Sequence, residues 1–459
     1  MTEVVKVVLL FCFAFFVSLR LRGSIFGLPM RRVLHVVQRY APYEGGSENY
    51  VRELSERFAA AGDAVTMLTT DAWDLEYFWD ARARTVEAPA EETLSGVRVL
   101  RFPVRHWPLP QPPALSSFTY RATRRLMAEG SRVPLPPVRD RLLYAAGHLA
   151  PLVPGMHRWL RRHGGDFDLV HAANISLEGT VYAAAATARR ARAPLVVTPF
   201  VHLGVPGDNR VVRYYTMPHQ IRLLSDAAAV VTQTPQETDF LAAKGVPREK
   251  MRQIGVGVHP ESVTGGNAAR ARVAYNLRGA VVYANGTAAA DKGTYDLLHA
   301  MQLLWREGRE ATLVHTGPML SAARAFFAAL PAEDAARVRL LGFVEKREQA
   351  DVLAAADVLT LPSRTDSFGI AFLDAWANGV PVIGANAGGI PGVVSDEIDG
   401  LLVPFGDPEA LAVALRRLLD DPALRQRLGE AGRAKVHARY TWERIVSQVD
   451  ALYADLLRP

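Results

Sequence analysis

From residue 33 onward, short apolar runs that do not alternate in polarity take turns with segments of helical periodicity. A strand with one wet face would alternate hydrophobic and polar residues, yet VLHVVQ, AVTMLTT, DLVHAA and APLVVTPFVH are apolar nearly throughout. Such strands are covered on both faces, and the segments between them supply the covering helices. That confines the chain to parallel, doubly wound α/β sheets. The pattern occurs twice, because a second series starts at AVVYANG and runs through ATLVHTG, RVRLLGFV, DVLTLPS, VPVIGA and GLLVPF. Between the series, residues 255–269 are rich in Gly, Pro, Ser and Thr and mark a domain boundary. A length of 459 residues suits two or three domains, and the absence of a repeat excludes a solenoid. The expected fold class is α/β, two Rossmann-like domains facing a central cleft, over residues 30–258 and 259–435.

In the first series VLHVVQ ends in RYAPYEGG, and a helix follows with Val51, Leu54 and Phe58 on one face. Ser47 is its expected cap and Gly62 its stop. Residues 72–165 contain Pro103, Pro108, Pro110, Pro112, Pro113, Pro134, Pro136 and Pro137 and read as an irregular insertion, helical hairpins over loops.

Charge is concentrated in that insertion. Twelve Lys/Arg face two acids, Glu129 and Asp140, between Arg98 and Gly165, whereas the whole chain carries a net charge of only +6. A basic stretch interleaved with Phe118, Leu126 and Leu142 suits an anionic membrane surface, with Arg121, Arg124 and Arg125 as its cations, or an acidic ligand, or equally a solvated Arg-rich face. No nucleic-acid module is present. A lone Cys12 excludes a disulfide framework and a cysteine zinc site and points to the cytosol. Residues 7–19 form an uncharged apolar run, short for a spanning helix and without signal-peptide flanks. Residues 1–29 are therefore either an anchor, with the body kept cytosolic by the following arginines, or a segment ahead of a start at Met30.

The chemistry is expected in residues 357–401. Strand DVLTLPS runs into RTDSFG, and a helix begins near Ile370. Backbone N–H groups of Ser367, Phe368, Gly369 and Ile370 at a helix N-terminus make an anion site suited to a pyrophosphate. Asp366 lies in the loop and Asp374 one turn into the helix, so that both carboxylates can serve one ligand, a sugar nucleotide. Taken without context, the same spacing more often describes a loop cap and a solvated helix residue. The loop GANAGGIPG after the next strand borders the same place.

The run DSFGIAFLDAWANGVPVI, followed by GGIPGVVSDEIDGLLV, resembles the signature of family-4 glycosyltransferases of the GT-B fold, E-x-F-G-x4-E-A-x-A-x-G-x-P-V-I, at about ten positions. APYEGGSENYVREL resembles the family's glycine loop, GVGV its hinge, and ARYTWERI the lead-in to a carboxyl-terminal helix, 436–459, that crosses back to the first domain. The resemblance spans residues 32–453. It implies retaining, metal-independent transfer of a sugar from a UDP- or GDP-linked donor held by the second domain, with the acceptor on the first.

In that resemblance Lys292, within DKG, is the cation for the leaving diphosphate, and Gly45, Gly46 and Gly286 let backbone approach the donor. Thr287 stands where the family usually has Arg, so the clamp needs another cation or binds its donor weakly. Asp366 and Asp374 replace glutamates, and Gly392 stands where another Glu is frequent. Asp374 is assigned the ribose, Asp366 a sugar-hydroxyl or electrostatic role, and His202, at the end of TPFVH, a contact to sugar or acceptor hydroxyls. The implied activity moves a hexose to a lipid-linked or oligosaccharide acceptor in envelope or exopolysaccharide synthesis, in the cytoplasm or at the inner membrane face. A GT-B nucleotide-sugar epimerase and a non-catalytic nucleotide-sugar-binding homologue remain open at this point. Asp166-Phe167-Asp168 matches a metal motif of the other glycosyltransferase fold but reads as strand-edge acids, and His171 and His315 lack zinc spacing.

Overall fold

The computed structural model describes residues 30–106, 113–133 and 136–458, so the expectation for residues 1–29 falls outside it. The first sheet is built from β1 (Arg32–Val36), β2 (Ala64–Thr70), β3 (Glu91–Leu94), β4 (Val97–Phe102), β5 (Leu169–Ala173), β6 (Leu195–Thr198), β7 (Ala229–Thr232) and β8 (Met251–Gln253), in the order β3-β4-β2-β1-β5-β6-β7-β8. β1 lies between β2 and β5 and is parallel to both, β4 is parallel to β2, and β3 runs antiparallel along β4. Every residue of β5 and β7 is buried, as unbroken apolar runs require.

Residues 72–165 are more regular than their prolines imply. Glu91–Leu94 and Val97–Phe102 extend the sheet, and α2 (Pro113–Gly130), α3 (Pro136–Gly147) and α4 (Pro154–His163) follow. Each of these helices opens on a proline, at a position whose N–H has no helical acceptor, so Pro113 and Pro136, two of the residues taken as breakers, are starts. The helix after β1, α1 (Gly46–Ala60), begins one residue before the expected cap. Gly45 is the cap, and the Ser47 hydroxyl instead donates to Glu48 Oε2 at 2.8 Å. Further helices used below are α5 (Glu178–Ala191), α6 (Pro218–Asp226) and α7 (Pro235–Ala243).

The second sheet has β9 (Ala280–Asn285), β10 (Ala311–Thr316), β11 (Val338–Gly342), β12 (Val358–Leu361), β13 (Val382–Ala385) and β14 (Gly400–Val403), in the order β11-β10-β9-β12-β13-β14. All its pairings are parallel. The chain winds outward from β9 through β10 to β11 and resumes on the opposite side with β12. The switch point therefore lies between the carboxyl ends of β9 and β12, where sheets of this kind take ligands. Helices α8 (Thr294–Arg306), α9 (Lys346–Ala355), α10 (Ile370–Ala377), α11 (Pro408–Asp420), α12 (Pro422–Arg439) and α13 (Trp442–Leu456) accompany it. Its core joins Leu297, Leu298, Met301 and Leu304 of α8 to Leu411, Leu415 and Leu418 of α11. Trp376, fully buried on α10, donates its indole N–H to the Asp399 carbonyl at 2.8 Å.

Backbone contacts gather the described chain into two compact units. One holds the residues up to Ser117 with His148–Ala173 and Gly179–Val196; the other holds Phe118–Gly147, Asn174–Glu178 and the chain from Val197 on.

Candidate active site

Two loops meet at the switch point because only glycine fits between them. After β9 the chain passes Gly286, at φ +140°, and half-buried Thr287, then makes a tight turn over Ala290–Lys292 closed by Gly293 at φ +69°. A β-carbon on Gly293 would lie 2.1 Å from the Pro362 carbonyl oxygen of the β12 loop, so the two backbones touch there. This contact delivers Lys292 to Asp366: Nζ donates to Oδ2 at 3.0 Å, with both side chains mostly covered. Burial pushes the Asp366 carboxyl upward, but the charge of Lys292 and a hydrogen bond from Ser363 outweigh it and hold the group below its usual range.

The same loop carries a cation that the sequence reading did not single out. Arg364 donates its backbone N–H to the Asp291 carbonyl at 3.0 Å and its guanidinium to the Asp291 carboxylate at 2.6 Å, and it lies 3.7 Å from Asp208. It stands over the Phe405 ring, 5.0 Å from the centroid. Its position two residues before Asp366 was the available signal.

Gly369, at φ +87°, turns the loop into α10, whose first residue is Ile370. The Phe368 side chain is 2% exposed and meets Tyr440 edge-on at 5.4 Å, so from this residue only the backbone is available to a ligand. The GANAGGIPG loop braces this segment: Gly389 N–H donates to the Asp366 carbonyl at 2.9 Å, and a β-carbon at Gly389 would fall 1.8 Å from the Ser367 carbonyl oxygen. Gly388, at φ +61°, donates to the Gly204 carbonyl at 2.8 Å. Gly392 has a steric reason for departing from the family pattern, since a β-carbon there would lie 2.0 Å from Gln236 Oε1 and 2.8 Å from Thr234 Cβ.

Asp374 has a different environment from Asp366. It accepts from Gln349 Nε2 at 3.2 Å, and burial pushes its carboxyl up to about 7. Tyr283 of β9 shares a 2.6 Å hydrogen bond with Thr316; burial holds its hydroxyl above its ordinary range, and the Asp374 charge adds to this.

His202 follows β6 and stacks on Tyr215, with centroids 4.9 Å apart and planes 26° from parallel. Burial lowers its imidazole to about 4; Lys292 adds to the shift and Asp366 opposes it, so the ring lies within the field of that pair and is neutral at neutral pH. Its backbone neighbour is fixed by Glu237, a fully enclosed carboxylate that accepts from Val201 N–H at 2.8 Å and Gln233 N–H at 2.6 Å. Burial pushes Glu237 up to about 7, against those two donors. The sequence signal was Thr234-Pro-Gln-Glu237, the capping-box spacing, in which Thr234 Oγ1 does accept from Glu237 N–H at 3.3 Å.

Gly45 and Gly46 belong to the other compact unit, at the start of α1. A β-carbon at Gly45 would come within 2.5 Å of Glu48 Oε2 and 2.8 Å of the Tyr43 ring, both ordered by Arg39. Asp168 is a strand-edge brace, taking the Arg32 backbone N–H at 2.8 Å and its guanidinium at 2.7 Å. His171 is buried edge-on to His35 at 5.6 Å, and burial lowers it to about 3. No cluster of His, Cys, Asp or Glu that could hold a metal ion occurs among the described residues.

Comparison with known proteins decides what kind of site this is. Residues 268–435 match the family described as glycosyl transferases group 1, and residues 45–257 match the glycosyl transferase 4-like domain. Over 326 residues the chain is 31% identical to the D-inositol 3-phosphate glycosyltransferase of Streptomyces bingchenggensis, covering 66% of this chain and 70% of that one. The chain belongs to the family-4 glycosyltransferases. This glycosyltransferase is also 28% identical over 424 residues to the D-inositol 3-phosphate glycosyltransferase of Xylanimonas cellulosilytica, with 89% and 91% of the two chains covered. Its GT-B fold is that of sucrose-phosphate synthase from Thermosynechococcus elongatus, at a TM-score of 0.68 and 24% identity, over 93% of this chain and 99% of that one. The glycosyltransferase is thus an enzyme of sugar transfer, and the epimerase and non-catalytic readings are not carried further.

Proposed function

We propose that this glycosyltransferase moves a hexose from a UDP- or GDP-linked donor to a lipid-linked or oligosaccharide acceptor, with retention at the anomeric carbon and without a metal. Residues 259–435 hold the donor and residues 30–258 the acceptor side, and Gly45 and Gly46 let backbone approach the donor diphosphate or the acceptor. The observation that carries this reading is the Lys292–Asp366 pair at the switch point, beside the start of α10.

The leaving diphosphate gathers negative charge as the glycosidic bond breaks. Lys292 and the free N–H groups of residues 367–370 are pre-set to receive it, with Gly286 and Thr287 leaving backbone open on the β9 side. Arg364 keeps the loop in register through Asp291, the residue before Lys292. Asp366 orients Lys292 and offers its second oxygen to a sugar hydroxyl. Asp374 takes the ribose diol. A neutral His202 hydrogen-bonds sugar or acceptor hydroxyls, and the departing phosphate collects the acceptor proton. The reaction is placed at the cytoplasmic face of the membrane, in envelope or exopolysaccharide synthesis.

The test is nucleotide release from UDP-, GDP- and ADP-hexoses, with a polyprenyl-phosphate sugar or a free oligosaccharide as acceptor. One donor class is expected to release nucleotide, faster with acceptor, and His202→Ala to slow release by about 10²-fold. No release from any donor would overturn the reading.

A further inference from the structure

Helices α2 and α3 each turn one stripe inward and another outward. On α2 the inward stripe is Arg124, Met127 and Ala128, all buried; Met127 packs with Leu143 of α3 and with Met217. Arg124 is therefore no part of a cationic face. Its guanidinium donates to both Glu178 oxygens, at 2.7 and 2.6 Å, and Gln220 Nε2 donates to the same carboxylate at 2.6 Å. A charge buried and paired in this way anchors the hairpin.

At 100° per residue, positions 118, 122 and 126 fall on the side of α2 opposite Tyr120, Arg124 and Met127. There Phe118 is 69% exposed and Leu126 72%; on α3, Val138 is 60% and Leu142 66% exposed, one turn apart. Around them Arg121, Arg125 and Arg141 are exposed and carry no ion pair among the described residues. The neighbouring acids are engaged, Glu129 by Arg132 and Arg213 and Asp140 by Arg139. Large exposed apolar side chains on the outward stripe of each helix are the mark of an interaction site, and a fringe of unpaired arginines selects an anionic partner. No helix of the described residues is long and apolar enough to cross a membrane.

We propose that the outer face of the α2–α3 hairpin docks on an anionic bilayer. Phe118, Leu126, Val138 and Leu142 enter the boundary between headgroups and acyl chains, and Arg121, Arg125 and Arg141 meet lipid phosphates. The proposal rests on the cytoplasmic-face reading for its purpose, but vesicle binding reports it without turnover.

The test is co-sedimentation of the full chain with phosphatidylcholine vesicles, with and without about one third phosphatidylglycerol. Wild type is expected to bind the anionic vesicles and to bind them less at high salt. The Phe118→Ser/Leu126→Ser/Leu142→Ser variant and the Arg121→Gln/Arg125→Gln/Arg141→Gln variant are each expected to bind about tenfold more weakly. The thermal shift produced by the donor nucleotide, measured alongside, should stay at the wild-type value in both, which separates this claim from the donor site. A wild type that binds neither vesicle overturns the proposal, as does undiminished binding by either variant.

Discussion

The Lys292 ammonium donates to Asp366 Oδ2 at 3.0 Å across the switch point of the second sheet. Each group makes the other tolerable, because a mostly covered carboxylate without its cation would be left desolvated. The pair holds the Asp366 carboxyl below its ordinary range, so its stabilisation is present above the usual carboxylate pKa and is lost as pH falls through the lowered value. Asp366→Asn should therefore melt below wild type at pH 7, with the gap closing as pH falls below the ordinary carboxylate range. Melting curves of both proteins across that window check this; a gap independent of pH would mean that the pair is not ionic.

Asp374 shifts the opposite way, up to about 7. Below about pH 4 both the folded and the unfolded chain hold its proton, and between about 4 and 7 only the unfolded chain releases it. Its contribution to stability is thus fully present at low pH and lost as pH rises toward 7. Asp374→Asn should remove that loss and melt at or above wild type at pH 8. If its ionised form accepts the ribose hydroxyls, wild-type donor affinity should rise between pH 6 and 8 and the variant's should not; titration calorimetry at the two values decides it.

Glu237 joins the segments after β6 and β7 through Val201 and Gln233. Glu237→Ala strands two buried N–H groups and should cost about 2 to 4 kcal/mol in denaturant unfolding. Glu237→Gln, which retains one acceptor, should recover part of it. Because His202 follows Val201, turnover should fall in Glu237→Ala with donor KM little changed; equal turnover in all three proteins would make Glu237 purely structural.

Gly392→Glu, which restores the family's frequent residue, should destabilise rather than help. The β-carbon alone meets Gln236 and Thr234, and relief requires moving the start of α7. A loss of about 1 to 3 kcal/mol or more is expected, read as a lower denaturation midpoint. A variant as stable as wild type would show that this contact yields easily.

Sequence made the second domain legible because its central strands, such as β12 and β13, are fully buried apolar runs and its loops are punctuated by glycine. DSFG before Ile370 and DKG before Thr294 identified the two loops of the switch point. Their meeting was not legible, since the contact of Gly293 with Pro362 is made between residues far apart in the chain. Arg364 was passed over because arginine in a loop is ordinarily solvated, and only Asp291 and Asp208 give it a role. Ser47 looked like a cap by residue type, yet Glu48 took its hydroxyl and Gly45 the capping position. The strand VRVLRF was hidden among prolines, although Val97 and Val99 are buried on either side of the exposed Arg98.

The central claim is that the β9 and β12 loops bind a nucleoside diphosphate. Thermal shift of the full chain with UDP, GDP and ADP, beside Lys292→Ala and Asp374→Ala, tests it most directly. One nucleotide is expected to raise the melting temperature of wild type through its selective affinity for the folded state, and both substitutions to abolish the rise. A rise that survives in Lys292→Ala and Asp374→Ala would place the nucleotide elsewhere and contradict the account.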